Sequence, residues 1–226
     1  MAQQVATSVT AAEVMAELAE LEDPRIREVN AKHGDEHGVN LTKLRGVAKP
    51  LRGQVDLARE LWASEDAAAR LVALLIVRPE DLTRDELDTM LRQARVPKVQ
   101  DWLVNYLVKK SRHAEELRQI WFADPDPVVA SAGWALTSEK VVKAPEDLDL
   151  PGLLDLIEAQ MKDAPERLQW AMNTCLGHIG IHHPGHRERA IEIGERLEVL
   201  KDYPTPPGCV SPYVPLWVNE MASRQQ

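Results

Sequence analysis

The sequence predicts an all-α chain built from stacked helix pairs. Three observations carry this reading. Apolar residues recur at helical spacing along most of the 226 residues, no stretch sustains the alternation of a strand, and the 15 prolines fall mostly between the periodic segments. Composition agrees, with 44% hydrophobic and 28% charged residues, enough to bury a sizeable core. The longest apolar run, Leu71 to Val77, is too short to span a bilayer. The opening MAQQVATSVT lacks the basic start and apolar stretch of a secretory signal. Cys175 and Cys209 give neither a disulfide framework nor metal spacing. A cytoplasmic protein with reduced thiols and no membrane partner is expected.

The elements follow in order. Ala12 to Leu21 reads as an amphipathic helix with Val14, Leu18 and Leu21 on one face. A helix from Asn40 to Leu51 is stopped by Pro50 and Gly53. Val55–Trp62 and Asp66–Val77 pair around the turn Ser64-Glu65, and Pro79 closes the second. Thr83 with Glu86 is a capping box that opens a helix ending before Pro97. Val99–Lys110, His113–Phe122 and Asp126–Thr137 come next. Pro151 opens a helix to Lys162, a turn at Pro165 leads into one through Ile179, and Pro184 starts the last, ending at Leu197.

The segments also repeat. Leu117-Arg-Gln-Ile-Trp121 with Asp124-Pro125 matches Ile157-Glu-Ala-Gln-Met161 with Ala164-Pro165 at an offset of 40, and Leu57 to Trp62 with Asp66 lies 59 residues before the first of these. A period near 40, each unit a helix, a turn and a second apolar helix, is the HEAT/armadillo signature. Such units stack into a solenoid with a concave surface. Here the array is irregular. The expected organisation is one HEAT-like repeat domain over 1–226, with an N-terminal helical segment at 1–24. A Pro-rich cap at 200–226 would be anchored by Tyr213 and Trp217 over the last repeat.

The net charge of −9 is unevenly spread. Residues 25–59 and 92–118 each carry a net +4, while 1–24, 60–91 and 119–226 are acidic. Two basic blocks on an acidic body either converge into one positive face or scatter over solvated helices.

Five strings go beyond periodicity: HGDEHGVNLTKLRGVAK (33–49), PKVQDWLVNYLVKK (97–110), DPDPVVASAGWALT (124–137), LQWAMNTCLGHIGI (168–181) and VLKDYPTPPGCVSPYVPLW (199–217). Together they resemble the DNA alkylation repair proteins, over roughly residues 25 to 218. The resemblance implies a HEAT-like helical solenoid that holds duplex DNA carrying alkylated bases, and excision of cationic N-alkylated bases without a cofactor. A cationic N-alkylated purine leaves readily, so such an enzyme needs chiefly a carboxylate field at the sugar and tryptophan faces for cation–π contact. The family is also marked by not depending on an enclosed base-flipping pocket. The other reading is a non-catalytic HEAT-like module that binds nucleic acid or protein through its concave face.

The family motif places an aspartate four positions after a tryptophan, with an arginine downstream. In this chain the acid position falls on Asn105 and the tryptophan position on Asp101, beside Trp102. An amide keeps the shape of aspartate without its charge. Asp101 offers a carboxylate one turn away, since i and i+4 share a helical face. The arginine position falls in Val128-Val129-Ala130. The candidate catalytic residues are therefore Asp101, Trp102 and Asn105.

The candidate DNA-binding residues are Lys43, Arg45 and Lys49 in the first basic block and Lys98, Tyr106, Lys109, Lys110, Arg112 and His113 around Trp102. Trp134 joins them, its small neighbours allowing either a helix or a ligand to approach closely. Trp102 and Tyr106 either line the cleft or pack between repeats. Trp62, Trp121 and Trp170, at recurring positions near turns, are expected in the core. His33 with His37, and His178 with His182 and His186, have spacings of four, but no cysteine joins them and glycines break the helix around the first pair. No metal site is expected.

Overall fold

The computed structural model describes residues 9–224, and among these it contains thirteen α-helices and no strand, only an isolated bridge between Glu22 and Val39. Residues 1–8 of the expected N-terminal segment and 225–226 of the expected cap lie outside the described residues. Packing divides the chain into two compact units, one ending at Ala114 and the other beginning at Glu115.

The first unit holds α1 (Ala11–Glu20), α2 (Pro24–Ala31), α3 (Leu41–Ala48), α4 (Val55–Ala63), α5 (Ala67–Ile76), α6 (Arg84–Gln93) and α7 (Pro97–Trp102). The helix starts follow from the sequence. Thr10 and Thr83 close capping boxes with Glu13 and Glu86, and Asp66 caps α5 by accepting from Ala69 N–H at 2.8 Å. The centre of this unit is α5, a helix of ten residues of which all but Leu75 are buried. Helices α1, α3, α4 and α7 pack against it. A helix apolar all round can be satisfied only inside a layer of others. Its one cation, Arg70, is buried, and donates to the carbonyls of Trp62 and Gln93 at 3.1 Å each while lying over the Trp62 ring. Those contacts meet the cost of removing a guanidinium from water.

The sequence reading missed α2. It buries no residue, so it has no apolar stripe to betray it; Asp23 caps it, and Pro24 stands in its first turn. The loop after it is anchored by Asp35, which is 4% exposed.

The second unit holds α8 (Ala114–Phe122), α9 (Pro127–Lys143), α10 (Leu150–Gln160), α11 (Glu166–His182), α12 (Arg187–Leu197) and α13 (Val214–Ser223). The two 17-residue helices α9 and α11 lie along one another at its core. The offset of 40 is visible in the packing, since Trp121 and Met161 occupy matching places at the ends of α8 and α10 and both are fully buried. Gly133 is where α9 meets α8: a Cβ there would stand 2.4 Å from the Phe122 backbone nitrogen. The small run before Trp134 therefore admits a helix.

Two expectations change in this unit. Trp170, expected in the core, is 40% exposed and stacks edge-on against Tyr203 at 5.1 Å. The tail, expected only as a Pro-rich cap, ends in the regular helix α13, which packs on α11 and α12. Trp217 lies against Gly177, where a Cβ would come 2.4 Å from its ring. No helix among the described residues is long and apolar enough to cross a membrane.

Candidate nucleic-acid interface

The site in the first unit is built on Pro97–Lys110. This segment starts as α7, turns π-helical over Leu103–Leu107, and ends in a 3-10 turn over Val108–Lys110. The Val108 N–H donates to both Leu103 and Val104 carbonyls, the signature of an inserted residue. π-turns cost hydrogen-bond quality and recur at functional sites. Here the core side chains leave little choice of register: Val99, Leu103, Leu107 and Val108 are all buried at 1% exposure or less.

Gln100 is buried and donates to the Ala94 carbonyl at 2.6 Å, while other polar side chains reach the surface. Asp101 and Asn105 are both exposed, one turn apart. Trp102 is 7% exposed, so its ring is largely covered. Arg45, from α3, lies over it at 5.5 Å from the ring centroid. Tyr106 packs against Trp102 at a centroid separation of 5.1 Å, and the Lys110 ammonium sits 5.7 Å from the Tyr106 ring. Arg45, Trp102, Tyr106 and Lys110 thus form one row, cation, ring, ring, cation. Each exposed cation–π contact contributes about 0.5–1 kcal/mol, enough to bias where a long side chain rests. The row includes three of the expected DNA-binding residues and one of the expected catalytic ones.

The remaining candidates divide. Lys43 and Lys49 are exposed on and just after α3, Lys110 and Arg112 are exposed, and Lys109 and His113 are half-buried. Arg112 Nε–H donates to His113 Nε2 at 3.2 Å. Lys98 is engaged elsewhere. Its backbone N–H donates to Asp35 at 3.0 Å, and its ammonium lies 3.8 Å from the same buried carboxylate, which bolts the 33–38 loop onto the start of α7. A phosphate at Lys98 would compete with Asp35. Trp134 is in the second unit, 3% exposed, with its ring 4.6 Å from Phe122 in the core. It presents no face to a ligand.

His37 and His178 make local contacts. His37 is 2% exposed, and burial pushes it below the ordinary histidine value; the Asn30 side chain donates to its carbonyl at 2.8 Å. His178 Nδ1 is 2.8 Å from Ser138 Oγ, and the ring lies 5.5 Å from Trp217. Among the described residues no three His, Cys, Asp or Glu side chains gather in a way that could hold a metal.

The sequence did not reveal the π-turn or the stacking of Arg45 on Trp102. The first depends on how the apolar face docks, the second on contact between elements more than fifty residues apart. The nearest signal was the basic residues flanking one aromatic pair.

The sequence model of the DNA alkylation repair enzyme family matches residues 14–210. Among curated proteins none matches. A solved structure resembles the chain with a TM-score of 0.76 and 22% identity, over 96% of this chain and 95% of that one. It is described as a new family of proteins related to the HEAT-like repeat DNA glycosylases, with affinity for branched DNA structures. The fold is therefore the HEAT-like helical repeat.

Proposed function

The chain belongs to the DNA alkylation repair enzyme family, and from that premise we propose that it binds DNA through the face of the first unit that carries Arg45, Tyr106 and Lys110. The row of cations and rings carries this reading, because it gathers two positive groups beside an aromatic pair on a chain of net charge −9. Phosphate contacts of this kind set affinity and make it salt-dependent. Lys43, Lys49, Lys109 and Arg112 are the further cations of this reading. The structural relative's affinity for branched DNA makes a branched duplex the natural substrate to compare with a linear one. Cys175, buried, and Cys209, exposed, are free thiols that suit the cytoplasm.

Binding is tested by replacing Lys109 and Lys110 with Glu. Affinity should drop and its dependence on salt should flatten, and binding that is indifferent to both changes would leave a protein-binding scaffold.

Chemistry is the finer proposal. Excision of a cationic base needs a carboxylate near the sugar, and two side chains compete for that role. With Asn105 at the family's acid position, the wild type releases N3- or N7-methylpurines slowly, and Asn105→Asp restores charge where the sugar becomes cationic. Such a contact is worth roughly 2–4 kcal/mol, on the order of 10²-fold in rate. If Asp101 is the working acid, the wild type is active and Asp101→Asn abolishes release while DNA binding persists. Inactivity of every variant would establish the second reading, a binding module without catalysis. The burial of Trp102 favours that reading, since a covered ring cannot stack on a base.

A further inference from the structure

The second unit carries a cluster that the site above does not use. On the first turn of α8, the Glu115 carboxylate accepts from Arg118 through Nε at 2.9 Å and a terminal nitrogen at 2.7 Å. The Lys140 ammonium of α9 is 3.1 Å from the same carboxylate, and the Gln119 amide donates to it at 3.0 Å. Four donors converge on one anion, and they hold its pKa well down, at about 2, with Arg118 the leading cause.

The exposures are unequal. The Arg118 and Lys140 side chains are only 14% and 17% exposed, but Glu115 is 47% exposed. Arg118 is held in place from behind, and Lys140 is largely covered. Arg118 also donates to the hydroxyl of Thr137 at 3.4 Å, and Thr137 is fully buried and hydrogen-bonded to the Gly133 carbonyl. The anion in front of them is the most exposed of the three, on the side open to water. Two cations facing one carboxylate leave an excess positive charge. A guanidinium fork beside an ammonium also matches the two non-bridging oxygens of a phosphodiester.

We infer that Arg118 and Lys140 form a phosphate-binding site for the DNA backbone, and that Glu115 fills it in the unbound protein as a built-in competitor. The assignment of the phosphate to DNA rests on the DNA-binding reading above. Binding exchanges the Glu115 carboxylate for a phosphate and releases the side chain to solvent. No bond is made or broken. Affinity in this region is therefore set by the difference between two anions, which lowers non-specific attraction without removing the cations.

The test is the binding of a short duplex, by fluorescence anisotropy across a salt series, to wild type, Glu115→Gln and Glu146→Gln. The last makes the same change of net charge at an exposed site elsewhere in the second unit. Glu115→Gln should bind about three- to tenfold more tightly at each salt concentration, with the slope nearly unchanged because both proteins make the same phosphate contact once bound. Glu146→Gln should change little, and adding Arg118→Gln to Glu115→Gln should cancel the gain. An equal effect of the two glutamate variants, or a gain that survives loss of Arg118, overturns the site. Lys140→Gln keeps the Arg118–Glu115 fork, and tests the site even if Glu115→Gln fails to fold. It should weaken binding about threefold and lower the slope, and an unchanged slope overturns the proposal. Should neither wild type nor Glu115→Gln bind DNA, the DNA reading fails and inorganic phosphate decides the pair separately. A thermal shift of Glu115→Gln in phosphate over chloride at matched ionic strength, absent when Arg118→Gln is added, supports an anion site, and its absence overturns it. Phosphate protection without any gain in affinity from a protein that does bind DNA overturns the phosphodiester assignment.

Discussion

Pro97–Lys110 in the first unit and Pro127–Lys143 in the second begin alike, each with a proline in its first turn, a tryptophan within, and lysines at its end. Their outcomes differ. The first passes from α to π to 3-10 and holds Trp102 beneath Arg45, and the second is an unbroken helix that holds Trp134 against Phe122. The difference lies in the residues before and around each tryptophan. Ala130, Ser131, Ala132 and Gly133 let α9 approach the backbone of α8 closely and keep a regular register. Around Trp102 stand Leu103, Val104 and Leu107, all buried, and the backbone yields instead of the side chains. Close packing yields a rigid core element there, and bulky packing yields an irregular one that displays polar groups.

Four experiments break or sharpen that contrast. The largest effect is expected at Trp134, where Trp134→Ala should cost about 3–5 kcal/mol in denaturant unfolding. The milder Trp134→Phe should leave the salt dependence of DNA binding unchanged, whereas Trp102→Leu should lower it by freeing Arg45. Equal shifts in the two would erase the distinction between core and site.

Gly133→Ala comes next. Its added carbon would meet Phe122 N at 2.4 Å and Trp121 C at 2.6 Å, backbone atoms that move only with their helix. A loss of roughly 1–3 kcal/mol is expected, and a neutral substitution would show that the α8–α9 approach is looser than described.

Arg45→Gln and Lys110→Gln should each change stability by less than about 1 kcal/mol, because the contacts they lose are exposed. Each should reduce the salt slope by about 0.9 if it neutralises one phosphate. A slope unmoved by either would take the row out of the interface.

The smallest effect is electrostatic. The pKa of Glu115 is lowered from 4.5 to about 2 in the folded chain, first by Arg118. Its contribution to stability is therefore fully present above pH 4.5 and lost as the pH falls towards 2. Glu115→Gln should flatten the acid limb of stability in that window. Since the carboxylate is nearly half exposed, water screens the effect and it stays small. An acid limb identical in both proteins would mean that the cluster is not formed in solution.

The sequence by itself determined the all-α class, most helix positions and the family. Apolar periodicity, capping residues such as Thr83 and Asp66, and prolines between helices act within a few residues, so they can be read along the chain. It also named candidates, of which Asp101, Asn105 and Lys110 are exposed and Tyr106 is half-buried. Tertiary structure alone decided the rest. It buried Trp134 and Trp102, exposed Trp170 beside Tyr203, set Lys98 against Asp35, and brought Lys140 to Glu115 and Arg118. A tryptophan is amphipathic enough to suit core or surface, and a lysine pairs with whichever carboxylate the fold delivers. Helix α2 escaped for the opposite reason, having no buried face to leave a periodic trace. Local rules fix what a segment is. What it touches depends on which faces the other segments leave open, a property of the assembled fold.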